Sequence, residues 1–304
     1  MGKNDLQLAE LKDFFYWVNE RHRIWVNRFH LKMKKPWTQD TILQQYKFTN
    51  VFRQLDTGTI ALNKMLGKWH NNPTPLCDMD VEDAIDILFN VVWYRLFNWV
   101  EHAETPGWTS HKDHNFVKRV LIEKKKLGMK VFTSAHMTSG TGEVITNKGK
   151  IYGHLTGPVG IAEEFGQEYI SYIYHHQSML AITKFLQQIP MVGPFIAYEI
   201  ACDLRFTPLL SSATDILTWA NLGPGAKRGL LRLGMEPCNA SMRELYRLAI
   251  EEEMVEYHVA EHFPFNDGDP PFELREIEHS LCEFDKYMRV KTGAGRPRQK
   301  YEGV

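Results

Sequence analysis

Cysteine is scarce in this 304-residue chain, and the four present (Cys77, Cys202, Cys238, Cys282) are widely scattered with no CxxC pair. That excludes a disulfide framework and gives neither zinc nor iron–sulfur spacing; it fits a reducing cytosol. No GxxxxGK[ST] run occurs, so the residues are not read as those of a P-loop kinase. Apolar runs are broken by charge well short of the ~20 residues that a membrane helix needs, and no membrane partner is expected. The opening MGKNDLQLAELKD has no basic stretch followed by an apolar core, so it does not read as a secretory signal. Charge of one sign is also missing: the formal net charge of −1 argues against indiscriminate nucleic-acid binding.

What is present is helical patterning. Val81 to His102 places Ala84, Ile85, Leu88, Val91, Val92, Leu96 and Trp99 on one face, with Asp80 as N-cap. Leu6 to Phe29 and Ile161 to Ile189 repeat that spacing, and NNPTP at 71–75 and 104–107 break it. Short β-prone pieces around Gly140, Gly142 and Gly149 predict an irregular or β insert over about 129–156. The Pro-rich stretch from Phe263 to Pro271 separates the last helix from the body. Charge is local: 118–130 and the tail 287–304 are basic, whereas 251–269 is acidic. The tail supplies Arg296, Arg298 and Lys300 for phosphate contact, as a flexible segment.

The segment FLQQIPMVGPFIAYEIACDLRFTPLLSSATD, from Phe185 to Asp215, reads as helix, tight turn, helix and an isolated carboxylate. Gly193 has no Cβ to obstruct a close approach, and Pro194 suits the first helical position. Amides there, at the positive end of a helix, suit a phosphate, which makes Val192 and Gly193 candidate DNA-backbone contacts. Asp215 has two compatible readings, an N-cap for a helix from Ile216 to Ala220 and an ionised general base or electrostatic stabiliser. The layout resembles the helix-hairpin-helix of DNA glycosylases with its trailing aspartate. Pro194 and Phe195 stand where lyase-active members carry a lysine, so Schiff-base chemistry is not expected.

Three further elements carry chemistry. NLGPGAKRG offers Gly223 and Gly225 with Lys227 and Arg228 as a phosphate-cradling loop at a helix start, or else a structural turn. In the late helix PFELREIEHSLCEFDKYMR, residues Arg275, His279, Glu283 and Lys286 share a face. That stripe is either solvated or a His279–Glu283 pair that fixes an imidazole tautomer for proton transfer; Cys282 is packing. Near the start, Trp37, Gln45, Tyr46, Phe48, Asn50 and Arg53 interleave aromatics with amides and cations that could stack on and read an extruded base. The alternative there is packing through Tyr46, Phe48 and Phe52. The clusters Tyr172, Tyr174, His175, His176 and His111, His114 read as helix surface, and no metal site is expected.

Together PWTQDTILQQYKFTNVFRQLD, IPMVGPFIAYEIACDL, TDILTWANLGPGAKRGL and EHSLCEFDKYMRVKTGAGRPRQKY resemble the α-glutamyl/putrescinyl thymine pyrophosphorylases, the bacteriophage amino acid:DNA transferases. These share a glycosylase-like helical domain with the 5-hydroxymethyluracil DNA kinases, and the missing P-loop favours the transferase. The resemblance implies a mainly α, two-lobed helix-hairpin-helix glycosylase-like fold, as a single catalytic domain over 1–304 with its hairpin at about 180–204. It implies replacement of the pyrophosphate of 5-pyrophosphoryloxymethyluracil in double-stranded DNA by a free amino acid or polyamine, in the cytoplasm of an infected bacterial host. No cofactor is required, although Mg2+ can accompany the pyrophosphate. On this reading Asp215, His279 and Glu283 are catalytic; Gly223, Gly225, Lys227 and Arg228 hold pyrophosphate. Gln45, Tyr46, Asn50 and Arg53 contact the base; Val192, Gly193, Lys286, Arg296 and Arg298 contact the DNA backbone. The competing readings are a monofunctional DNA N-glycosylase for a modified pyrimidine and a non-catalytic DNA-binding module.

Overall fold

A computed structural model describes residues 3–133, 149–250, 270–297 and 300–301. The protein is mainly α, with one isolated antiparallel bridge, Tyr46 to Lys300, among the described residues. In chain order the helices are α1 (Lys3–Trp25), α2 (Thr41–Gln45), α3 (Thr57–Leu66), α4 (Val81–Phe97), α5 (His114–Lys126) and α6 (Gly149–Gly160). They continue with α7 (Gly166–His175), α8 (Met179–Leu186), α9 (Pro194–Leu204), α10 (Pro224–Arg232), α11 (Asn239–Ile250) and α12 (Leu274–Lys291). The chain divides into two compact units, Met1–Asp56 with Ile216–Val304, and Thr57–Asp215.

In the first unit α12 is the central helix. It is buried on nearly every side, including Arg275, Glu276, His279, Glu283 and Asp285, so of the two readings of its polar stripe the solvated one is not found. Phe284 meets Phe14 of α1 edge-to-face at 5.4 Å, a contact worth about 0.5–1.5 kcal/mol beyond its buried area. Tyr287 Oη donates to Asp40 Oδ2 at 2.7 Å, and Asp40 Oδ1 accepts from the Ile42 and Leu43 amides as N-cap of α2. On the opposite flank α10 packs against α12 through glycines. A Cβ on Gly225 would collide with Cys282 Sγ, and one on Gly229 would lie 2.5 Å from the Leu281 carbonyl.

In the second unit α4 is the buried core helix. Asp80 caps it, accepting from the Glu82 amide at 2.8 Å, and Asn98 ends it in a left-handed conformation at φ 45°. Arg95 of α4 reaches α9, where its guanidinium forks onto Asp203 (Nη2 to Oδ1, 2.6 Å) and lies 3.9 Å from Glu199. Thr59 of α3 accepts a further bond from it. A fully buried cation facing two buried carboxylates locks the second hairpin helix to the core.

Three local expectations change. Ile161 to Ile189 is not one helix: Ser178 interrupts it and caps α8, accepting from the Ala181 amide. Residues 149–156, expected in an irregular or β insert, belong to α6; a Cβ on its Gly157 would collide with Ile189, so glycine there serves helix-to-turn packing. Of the rest of that insert, 129–133 has no regular secondary structure and 134–148 lies outside the described residues, as do 251–269 and Arg298. His111 is not surface but buried, its Nδ1 on Asp86. Among the described residues no helix is long and apolar enough to cross a membrane.

Candidate functional site

In the second unit, α8 and α9 are joined by a tight turn over 187–193, as the hairpin pattern requires. Pro194 occupies the first turn of α9 and Gly193 its N-cap, with φ −80° and ψ 176°, a conformation open to any residue. A Cβ on Gly193 would meet nothing within 4 Å, so nothing inside the protein demands glycine there. Gly193, Pro194 and Phe195 are exposed, whereas the Val192 side chain is buried and its amide donates to Ile189 O at 3.0 Å, so Val192 offers no donor to a DNA backbone. Met191 takes a left-handed φ of 70° in the turn, a conformation uncommon outside glycine and asparagine.

Asp215 does cap a helix, but not the expected one. Residues 214–218 form turns, and the carboxylate instead reaches the start of α8. Its Oδ1 accepts from the Met179 amide at 2.6 Å; its Oδ2 accepts from Leu180 N at 3.0 Å and Ser178 Oγ at 2.8 Å. These donors hold the carboxylate at the positive end of α8. They also occupy most of its acceptor capacity.

In the first unit the chemistry gathers on α10 and α12. The fully buried Asp285 binds Arg228 Nε at 2.9 Å and Arg232 Nε at 2.8 Å, with Arg289 Nε at 3.5 Å. Burial pushes its carboxyl up, but the Arg232 and Arg228 hydrogen bonds and charges outweigh that and hold it below the ordinary range. Three half-exposed guanidinium groups thus share one carboxylate, leaving a surplus of positive charge beside exposed Lys227. This cluster was missed in the sequence, although Arg228 and Arg232, like Asp285 and Arg289, stand one helical turn apart.

The glycine loop works differently from a phosphate cradle. Gly225 is buried under Cys282, and the Gly223 amide donates to Glu278 Oε1 at 3.3 Å. A carboxylate therefore already stands at the start of α10. Glu278 also lies 3.6 Å from His279 Nε2. Glu283, the expected partner of that imidazole, faces Lys286 and accepts from the Thr49 amide. Burial lowers Lys286, but the Glu283 charge overrides it and the net shift is upward, so Lys286 stays cationic. Burial, with the Glu283 charge adding, pushes the Cys282 thiol up to about 12, which makes it inert.

Of the expected base contacts, Asn50 and Tyr46 serve the core. Asn50 Oδ1 accepts from Arg21 at 2.6 Å and its Nδ2 donates to Leu55 O, while Tyr46 is buried beneath Lys300. Packing through Tyr46, Phe48 and Phe52 is therefore the arrangement found. Arg53 pairs with Asp56 at 3.0 Å; Gln45 is exposed. The tail is docked at its far end, where Tyr301 N donates to Gln45 O, and Arg296 is exposed. Among the described residues no group of three or more His, Cys, Asp or Glu is arranged to hold a metal ion.

A family model described as the helical domain of 5-hmdU DNA kinase matches residues 9–296. The chain belongs to that family. The 5-hmdU DNA kinase of Bacillus phage SP10 is 27% identical over 297 residues, covering 90% of this chain and 44% of that kinase. The chain thus spans less than half the length of that relative. No solved structure matches it.

Proposed function

We propose that this protein is a phage thymine-hypermodification enzyme that replaces the pyrophosphate of 5-pyrophosphoryloxymethyluracil in DNA with an amine. The observation that carries this reading is family membership over residues 9–296, in a family described by a DNA kinase for the same hydroxymethylated base. Within these 304 residues there is no phosphate loop for a nucleotide donor. There is instead an arginine cluster suited to a polyphosphate already on the base.

In the proposed reaction the bond between the 5-methylene carbon and its oxygen breaks, and pyrophosphate leaves with the electron pair. The amine nitrogen bonds to that carbon and gives up a proton. Arg228, Arg232, Arg289 and Lys227 stabilise the leaving group electrostatically; a magnesium ion can accompany it. His279, 3.6 Å from Glu278, is the proposed proton acceptor. The exposed start of α9 grips the DNA backbone, with the glycosidic bond left intact.

A second reading is favoured by the family description itself: the chain recognises the hydroxymethylated base for a phosphoryl transfer carried out elsewhere. Incubation with DNA bearing 5-pyrophosphoryloxymethyluracil and glycine, glutamate or putrescine, followed by nucleoside mass analysis, separates the readings. An amine-substituted thymidine is the expected product. Free base or abasic sites would identify a glycosylase. Unchanged substrate with every amine, alongside selective binding of the hydroxymethylated DNA, would favour the recognition role.

A further inference from the structure

Between Glu20 and Asp40 the chain carries no carboxylate but six cations, Arg21, Arg23, Arg28, Lys32, Lys34 and Lys35, although the whole protein is near neutral. Arg21 is buried and Arg23 pairs with Glu20, whereas every residue from Arg28 to Pro36 is exposed. The remaining cations therefore form one crest on the first unit, interleaved with Phe29, Leu31 and Met33. Leu31 is 57% exposed and Met33 49%, a local concentration of apolar surface that marks an interaction face. Among the described residues no carboxylate pairs with Arg28, Lys32 or Lys34.

The crest has a fixed shape. α1 passes at Trp25 into a π-helical turn over Val26–His30, a rare form found mostly at functional positions. Beyond it Lys32 takes a left-handed φ of 52°, a conformation that costs free energy in a residue with a long side chain. Hydrogen bonds hold both sides of that turn: Leu31 N donates to Val26 O at 2.9 Å and Met33 N to Asn27 O at 2.8 Å. Trp37 Nε1 donates to Met33 O at 2.8 Å, and Asn27 Nδ2 to Trp37 O at 2.8 Å. The Arg28 guanidinium lies 4.6 Å from the Phe29 ring centre and 4.9 Å from that of Trp37. Lys35 Nζ lies 5.4 Å from the Trp37 ring, and both residues share with Tyr301 the wall of a cavity of about 340 Å³. The turn and its cations are thus set before any partner arrives.

A matching partner offers repeated negative charge alternating with apolar surface. The backbone of duplex DNA does so, with phosphates for the cations and sugar faces between them. A lipid surface suits an amphipathic helix, and the crest forms none beyond its single turn. We infer that the crest over 28–35 docks on the sugar–phosphate backbone of the duplex that flanks the target base. Arg28, Lys32 and Lys34 meet phosphates, while Leu31 and Met33 rest on sugars. Such contacts position the duplex and carry no sequence information. The crest leads into α2, on the flank of α12 away from α10, so the target nucleotide's pyrophosphate stays with the arginine cluster. The inference rests on the DNA substrate proposed above.

The test uses the full chain and two duplexes, one with thymine and one with a single 5-hydroxymethyluracil, with affinities measured between about 50 and 200 mM salt. Lys32→Asn removes a charge and keeps a residue that tolerates the left-handed turn. Combined with Lys34→Gln, it should lower the slope of log affinity against log salt by about 2, equally on both duplexes. The ratio of the two affinities should stay within about twofold of wild type. Leu31→Ser should weaken both complexes about fivefold, from the lost burial of one apolar side chain, and leave the slope unchanged. Should Lys32→Asn melt early, Lys34→Gln alone decides, with an expected slope change of about 1. A wild-type slope in the folded lysine variants, wild-type affinity in Leu31→Ser, or a wild type that binds neither duplex would overturn the inference. Vesicles containing phosphatidylserine are the control. Vesicle binding that the double variant loses, with its DNA slope unchanged, would assign the crest to a lipid surface instead. Amine transfer is scored separately. Transfer by the wild type, with an unchanged slope in the double variant, removes the crest and leaves the transferase; a lowered slope without transfer by the wild type does the reverse.

Discussion

Asp215 accepts a hydrogen bond from the Met179 amide at 2.6 Å, so a carboxylate at the end of the second unit fixes the start of the first hairpin helix. Asp215→Ala should lower stability by about 1 kcal/mol, the usual cost of a lost cap, as read by denaturant unfolding. Asp215→Asn keeps an acceptor and should cost less.

Two glycines should respond in opposite ways. Gly193→Ala meets no neighbour within 4 Å, so thermal melting should be unchanged while duplex affinity falls because a methyl group obstructs the DNA backbone. Gly229→Ala would press a methyl group against the Leu281 carbonyl and should cost about 1–3 kcal/mol or more. A Gly193→Ala protein with wild-type affinity would remove the hairpin from the DNA interface.

Salt dependence tests the arginine cluster. If it meets phosphate, Arg232→Ala should lower the slope of log affinity against log salt by about 1 for plain or modified DNA. If it meets the pyrophosphate alone, plain DNA should bind as before, and only use of the pyrophosphorylated substrate should fall. Asp285→Asn should weaken both cluster and fold, since three guanidinium groups would lose their shared carboxylate.

Stability should also depend on pH in a defined window. Burial, with the Arg21 charge adding, lowers His22 to about 4; burial, despite a bond to Val131 O, lowers His102 to about 4. Their unfolded value is about 6.5, so between these limits the unfolded chain binds more protons. Stability is therefore fully present above about pH 6.5 and falls as pH drops toward 4. Melting temperatures at pH 7.5 and 5.0 should show the loss, and His102→Gln should reduce it. The depressed Asp285 adds a separate loss at lower pH, below the ordinary aspartate range.

The amino-acid sequence by itself determined what is local. The apolar spacing of α4 and its Asp80 cap, the breakers at 71–75, and the α8–turn–α9 segment with Pro194 in the first turn all depend on residues within a few positions of one another. The same locality made His279 and Glu283 look like partners, because they share a face of α12. Tertiary structure decided otherwise. Buried α12 brings Glu283 to the Thr49 amide, 234 positions away. Packing also decided that Gly225 and Gly229 let two helices touch, that Asp215 caps α8, and that Arg228 finds Asp285 57 positions away. It brought Trp37 and Tyr301 to one cavity from opposite ends of the chain. Helix periodicity and caps are set by neighbours along the chain, whereas pairings across it exist only once burial has chosen which faces meet.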